Sequence, residues 1–330
     1  MEIIPTMNMY RNEEKYDNIV KQLVNISVNK IRINCTRFSI EEYSYQINML
    51  RKYYNMHNIF PEIYLDVPFP GSKIRVKYLN IYERFYINKG GIYQIEKYTG
   101  NTMENNKLYV EDKRFIHEIE VGEYILVGDG DIVFEVIDKD NISLTVIALN
   151  EGRINYMKSL YSKHHIFRKC NNFLGFKKIS TFIQTLKPQG IFLSFVENCN
   201  EITEYSSRFS NLDIIPKIET PKGVSNIDDI FQKCETIMIG RGDLGNISSY
   251  DLGKNENLII DKCKKNNKKI IVATDILSSL ENQIIPKRGE LLDLYYLKKM
   301  KVDGIVASAS ITNSKYSLEM FNNYVNNISI

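Results

Sequence analysis

Short apolar runs recur along this chain, each bounded by turn residues and followed by a longer stretch in which apolar positions return at helical spacing. The runs fall at residues 2–6, 30–35, 62–67, 190–196, 213–219, 236–240, 269–274 and 304–307. Continuous Ile, Val and Leu mark strands covered on both faces, and the intervening segments are long enough to cross back over a sheet. Residues 40–54, 256–266 and 290–299 read as three of those helices. Eight parallel strands is the number that closes a β/α barrel, so the pattern predicts an α/β protein of (β/α)8 architecture.

The rhythm breaks between residues 77 and 165. Residues 85–88, 92–96, 124–127, 132–137 and 143–148 are short β-prone runs separated by turns such as Gly128-Asp129-Gly130. A series of hairpins between the third and fourth barrel strands is an inserted domain. The expected division is therefore 1–76 with 166–330 for the barrel and 77–165 for the insertion.

Composition narrows the function without naming it. Hydrophobic residues make up 43% and charged residues 25%, as in an ordinary folded protein. The net charge is +3, with 43 basic residues interleaved among 40 acidic ones, so no basic stripe for a nucleic-acid backbone stands out. Five cysteines occur without a C-x-x-C pair, which argues against a zinc site or a disulfide framework and fits a reducing cytoplasm. No stretch reaches the roughly 18 apolar residues of a membrane span, and the N-terminus lacks the features of a secretory signal.

Chemistry concentrates at the ends of the predicted strands. Lys217 and Glu219 lie two apart in a strand, so a cation and a carboxylate face the same side. Taken alone they are as readily an ordinary ion pair as a site. Asp243 follows the next strand in a Gly-rich segment, Gly240-Arg241-Gly242-Asp243-Leu244-Gly245, expected as a turn with free backbone N–H groups. Two carboxylates at one end of a barrel suit a hard divalent cation, and magnesium takes one or two of them with water and substrate oxygens completing its shell. Arg32, Asn34 and Thr36 alternate onto one face of the second strand, three polar residues where a closed barrel has no exposed edge.

The ordered set Lys217-Ile-Glu219, Asn226-Ile-Asp-Asp-Ile230, Gly240 to Gly245 and Val272-Ala-Thr274 resembles the core of pyruvate kinase. Arg32-Ile-Asn34 is similar to that family's R-x-N-F-S-H-G, Leu65-Asp66 through Lys73-Ile-Arg75 to its L-D-T-K-G-P-x-I-R, and Leu193-Ser-Phe-Val196 to its A-S-F-V-R. Within the insertion, Val121 to Gly130 resembles the opening of the family's mobile lid, and Asn150 to Ser159 its exit. The resemblance implies a TIM barrel with a small β-barrel lid domain, and phosphoryl transfer between phosphoenolpyruvate and ADP giving pyruvate and ATP. It further implies Lys217, Arg32 and Thr274 as catalytic residues, with Gly242, Asp243, Thr274 and Arg32 contacting substrate. Glu219 and Asp243 match the ligands of Mg2+ or Mn2+, and Asn34, Arg37, Arg75 and Lys158 match nucleotide-side positions. The family's monovalent-cation position corresponds to Asn34, Thr36, Asp66 and Lys73. Lys73 matches the lysine of potassium-independent members, so no potassium requirement is expected.

Departures from the family pattern touch mainly the nucleotide side. Ser-His-Gly is replaced by Thr36-Arg37-Phe38, Glu197 stands where the family has arginine, and Ser308-Ala-Ser-Ile-Thr312 lacks the carboxylate of S-G-E-T-A. Pro286-Lys-Arg-Gly-Glu290 resembles a segment at the family's subunit contact, and the sequence stops where the family continues into a regulatory domain, which together suggest a homodimer or a monomer. Three readings follow: a pyruvate kinase-like phosphotransferase; a paralogue applying the same chemistry to another acceptor or keto acid; and a non-catalytic ligand-binding homologue.

Overall fold

The computed structural model describes the chain apart from residues 8–11, 36–38, 68–72, 79–84, 100–103, 105–106, 129, 156–157, 163–171 and 330; for 113, 172–175 and 315 it describes the backbone alone. The chain divides into two compact units, Met1–Phe69 with Phe173–Ile330, and Pro70–Asn172.

The larger unit is a closed barrel of eight parallel strands: β1 (Glu2–Met7), β2 (Lys30–Asn34), β3 (Glu62–Val67), β4 (Gly190–Leu193), β5 (Asp213–Ile218), β6 (Thr236–Gly240), β7 (Lys269–Ala273) and β8 (Gly304–Ala307). Each pairs with its neighbours in chain order, and β1 closes on β8 through Glu2↔Gly304 to Pro5↔Ala307. Helices cover the outside, among them Ile40–Met56, Leu252–Lys265 and Arg288–Lys299. The first begins with a reciprocal cap, in which Ser39 accepts from the Glu42 N–H and Glu42 accepts from the Ser39 N–H.

Although the strands read as continuous apolar runs, their two faces have different partners. Ile31, Ile33, Ile63, Leu65, Val67, Ile214 and Ile218 pack outward into the layer between sheet and helices. Ile4, Tyr64, Phe192, Ile215, Met238, Ile271, Ala273 and Val306 form a separate cluster inside the barrel. Because side chains alternate along a strand, Arg32, Asp66 and Lys217 share the inward face, stacked above this apolar plug toward the C-terminal ends.

The smaller unit holds a second closed barrel, of seven strands: Ile74–Lys77, Ile92–Lys97, Lys107–Val110, Tyr124–Val127, Ile132–Lys139, Ser143–Ala148 and Ser159–Ser162. Phe85–Ile87 pairs instead with Gly152–Ile154 in a two-stranded sheet. Ile74–Lys77, which the 1–76 boundary assigns largely to the first barrel, pairs with Lys107–Val110 and Ser159–Ser162 and so lies in the second. Its alternating Ile-Arg-Val-Lys sends Ile74 and Val76 into the smaller unit's own core. Among the described residues, no helix is long and apolar enough to cross a membrane.

Candidate active site

Six inward-facing polar residues from five strand ends meet at the C-terminal mouth of the larger barrel. The Lys217 ammonium lies 3.0 Å from Glu219 Oε1 and 3.3 Å from Asp66 Oδ2, and it donates to Ser194 Oγ at 3.2 Å. Arg32 donates to Asp66 Oδ2 through Nε at 3.0 Å and Nη2 at 2.6 Å, and through Nη1 to Thr6 Oγ1 at 2.8 Å. Asp66 thus bridges two cations that strand register alone brings together.

This is no solvent-exposed ion pair, since Asp66 is 4% exposed, Lys217 9% and Glu219 2%. At such depth a charge persists only where partners offset its lost hydration. Burial pushes the Asp66 carboxyl up, yet Lys217 and Arg32 outweigh it and bring the pKa down to about 2. Burial likewise pushes the Lys217 ammonium down, and the Asp66 and Glu219 carboxylates reverse this, so its pKa ends above the ordinary lysine value. Asp243 contributes in the same direction from the end of β6, which puts it within electrostatic reach of Lys217.

Backbone geometry fixes Glu219 from two sides. Its Oε2 accepts the Phe195 N–H at 2.9 Å, and Phe195 has φ of 57° just after β4. A Cβ on Gly240 would fall 2.6 Å from Glu219 Cγ and 2.7 Å from Oε1, so glycine at the end of β6 is what leaves the carboxylate its place. The following segment is not the turn expected from its glycines but a short helix, Arg241–Ile247. Thr274, exposed at the end of β7 with φ of 82°, sits over Gly242: a Cβ there would meet Thr274 Cγ2 at 3.2 Å and Oγ1 at 3.4 Å.

Arg32, Asp66, Lys217 and Glu219 are therefore in direct contact, and Gly242 meets Thr274. Asn34 ends β2 exposed, opposite Asp66 in register, its carbonyl accepting from Tyr43 Oη at 3.0 Å. Thr36 and Arg37 lie outside the described residues. Lys73, Arg75 and Lys158 belong to the smaller unit, where Lys158 Nζ is 3.0 Å from Asp131 and Arg75 pairs in register with Ser159. Thr6 and Ser194 were not legible as site residues. The signal for both is the two-residue period, which carries the inward face from Ile4 to Thr6 and from Phe192 to Ser194.

Glu219 after β5 and Asp243 in the helix after β6 are the oxygen donors that could hold a divalent cation at this end of the barrel. Among the described residues, no three His, Cys, Asp or Glu side chains gather into a metal-holding group. Two carboxylates match magnesium, which fills its remaining positions from water and substrate.

The C-terminal mouth of a parallel (β/α)8 barrel is where enzymes of this fold keep their active sites, and the buried cation–carboxylate cluster lies there. Residues 1–320 match the model of the pyruvate kinase barrel domain. The chain belongs to the pyruvate kinase family. It is 29% identical over 319 residues to the pyruvate kinase of Mycoplasma pneumoniae, covering 92% of this chain and 62% of that protein. With the pyruvate kinase of Aeropyrum pernix the identity is 22% over 317 residues, covering 92% of this chain and 65% of the relative. For that of Staphylococcus aureus strain MRSA252 it is 26% over 325 residues, 92% and 52%. The chain thus spans between half and two thirds of the length of these relatives.

Proposed function

We propose that this chain transfers the phosphoryl group of phosphoenolpyruvate to ADP, with magnesium or manganese as cofactor. The observation that carries the reading is the Lys217 ammonium, buried yet kept charged by Asp66 and Glu219, with Arg32 on the same carboxylate. The bond between phosphorus and the enol oxygen breaks with its electron pair remaining on that oxygen, while a β-phosphate oxygen of ADP forms the new bond. The resulting enolate takes a proton at its methylene carbon to become pyruvate.

Such a transition state is loose and spreads negative charge over the equatorial phosphoryl oxygens, so fixed cations and exact positioning supply most of the catalysis. Lys217 and Arg32 provide that charge, and the carboxylates that pin them remove the cost of orienting them during the reaction. The N–H groups of Gly242 and Asp243 hold the substrate carboxylate, and Thr274 delivers the proton to the enolate. Glu219 and Asp243 would hold the magnesium, which when bound would supply further positive charge to an anionic substrate. Asn34, Arg37, Arg75 and Lys158 are the nucleotide-binding residues by family resemblance. Lys73, matching the lysine of potassium-independent members, is the ground for expecting turnover without potassium.

The same reading fits a cytoplasmic protein acting as a homodimer or as a monomer. Its test is pyruvate release from phosphoenolpyruvate, ADP and magnesium, with and without potassium, against a Lys217→Met control. Turnover that vanishes in the control supports phosphoryl transfer to ADP. Tight phosphoenolpyruvate binding without turnover points to another acceptor, and absence of binding to either phosphoenolpyruvate or pyruvate overturns the reading.

A further inference from the structure

Thr274 occupies a backbone conformation that a β-branched residue rarely adopts, with φ of 82°, and Asp275 follows at 56°. Strain of this kind persists only where the surroundings impose it. Here the imposing group is Arg241, at the start of the short helix after β6. Its Nε and Nη2 both donate to the Thr274 carbonyl, at 3.0 and 2.7 Å. Its remaining arm is anchored behind the barrel, with Nη1 2.9 Å from Asp293 Oδ1 on helix Arg288–Lys299 and 3.9 Å from Glu256 Oε2 on helix Leu252–Lys265. The guanidinium is nearly buried, at 11% side-chain exposure, so two covering helices fix it and it fixes the peptide after Thr274.

We infer that Arg241 is a positioning residue, which clamps the Thr274 carbonyl and thereby holds the Thr274 hydroxyl over Gly242, where an enolate would receive its proton. The inference rests on the proposed role of Thr274, but the clamp itself is a separate claim. Only a planar fork can place two parallel N–H groups on one oxygen, so lysine cannot reproduce it. Gly242 completes the arrangement, because any Cβ there would press on the threonine at 3.2 Å.

The decisive measurement combines Arg241→Gln and Arg241→Lys with Thr274→Ala. In D2O with magnesium, the exchange of pyruvate methyl protons reads proton delivery directly by NMR. Loss of the clamp should slow exchange and turnover by about a hundredfold, the effect of a displacement near 1 Å, while KM for phosphoenolpyruvate stays nearly unchanged, as for an interaction made only in the transition state. In the Thr274→Ala background Arg241→Gln should add almost nothing, whereas a residue acting only on stability lowers both backgrounds alike. Equal losses in the two backgrounds overturn the inference. Should the parent protein show neither exchange nor turnover, the proposed function fails, and a crystal structure of Arg241→Gln still decides the clamp. A Thr274 φ relaxed to negative values supports it, and one still near 82° refutes it.

Discussion

Replacing Asp66 by asparagine keeps the side chain's shape and removes the one charge that lies between Arg32 and Lys217. Both cations are then left at the barrel mouth with diminished partners. Removing one member of a buried charge pair costs about 3–5 kcal/mol, because the other member stays dehydrated and uncompensated. Here Lys217 keeps Glu219 at 3.0 Å and Arg32 keeps Thr6 at 2.8 Å, which puts the expected loss at the lower end, about 3 kcal/mol. For a unit of this size each kcal/mol lowers Tm by about 2–4 °C, so Asp66→Asn should melt roughly 6–12 °C earlier. Calorimetry is the suitable assay, since it can separate the transitions of the two units. A cycle with Lys217→Met should reveal a coupling of about 1–3 kcal/mol between positions in contact. A fall in Tm below about 2 °C, together with additive effects in that cycle, would refute the argument that Asp66 holds two otherwise unstable charges.

The same carboxylate sets a pH dependence. With a folded-state pKa of about 2, below its ordinary value near 4, Asp66 contributes stability that is complete above about pH 4 and is lost as pH falls toward 2. Urea midpoints followed from pH 6 down to 2.5 should drop more steeply for the parent than for Asp66→Asn, and parallel curves would count against it. Lys217 acts with opposite sign: its stabilisation is whole below the ordinary lysine pKa and declines as pH rises through its elevated folded value. Gly240→Ala should displace the Glu219 carboxylate, since the added carbon falls 2.6 Å from Glu219 Cγ. Titration with Mn2+ followed by electron spin resonance should then show affinity about tenfold weaker or worse, on the scale of lost metal-site support, and an unchanged Kd would mean that Glu219 does not ligate the metal.

What could be read locally and what could not differ for a physical reason. Each barrel strand announces itself through a run of Ile, Val and Leu, because burial on both faces demands apolar side chains regardless of which strands lie alongside. The runs expected at 62–67, 236–240 and 304–307 are strands with those same limits. Strands such as Ile74–Lys77 and Lys107–Val110 leave no such mark, being four residues long and partly charged, too short for a two-residue period to stand out. The segment after β6 became a helix despite its glycines because it caps a barrel strand and buries Leu244 beneath it, a packing term that local propensity does not contain.

By itself the amino-acid sequence determined the eight strands of the larger barrel, the interruption by a β-rich unit, and the identity of the charged residues at strand ends, since each is recorded in a few consecutive side chains. Closure of the barrel decided the rest. It joined Thr6, Arg32, Asp66, Ser194 and Lys217 into one buried network, gave Asp66 two cations, and made Gly240 the space that Glu219 occupies. No local signal encodes those contacts, because their partners come from five different strand ends and meet only through the shared register of a closed parallel sheet.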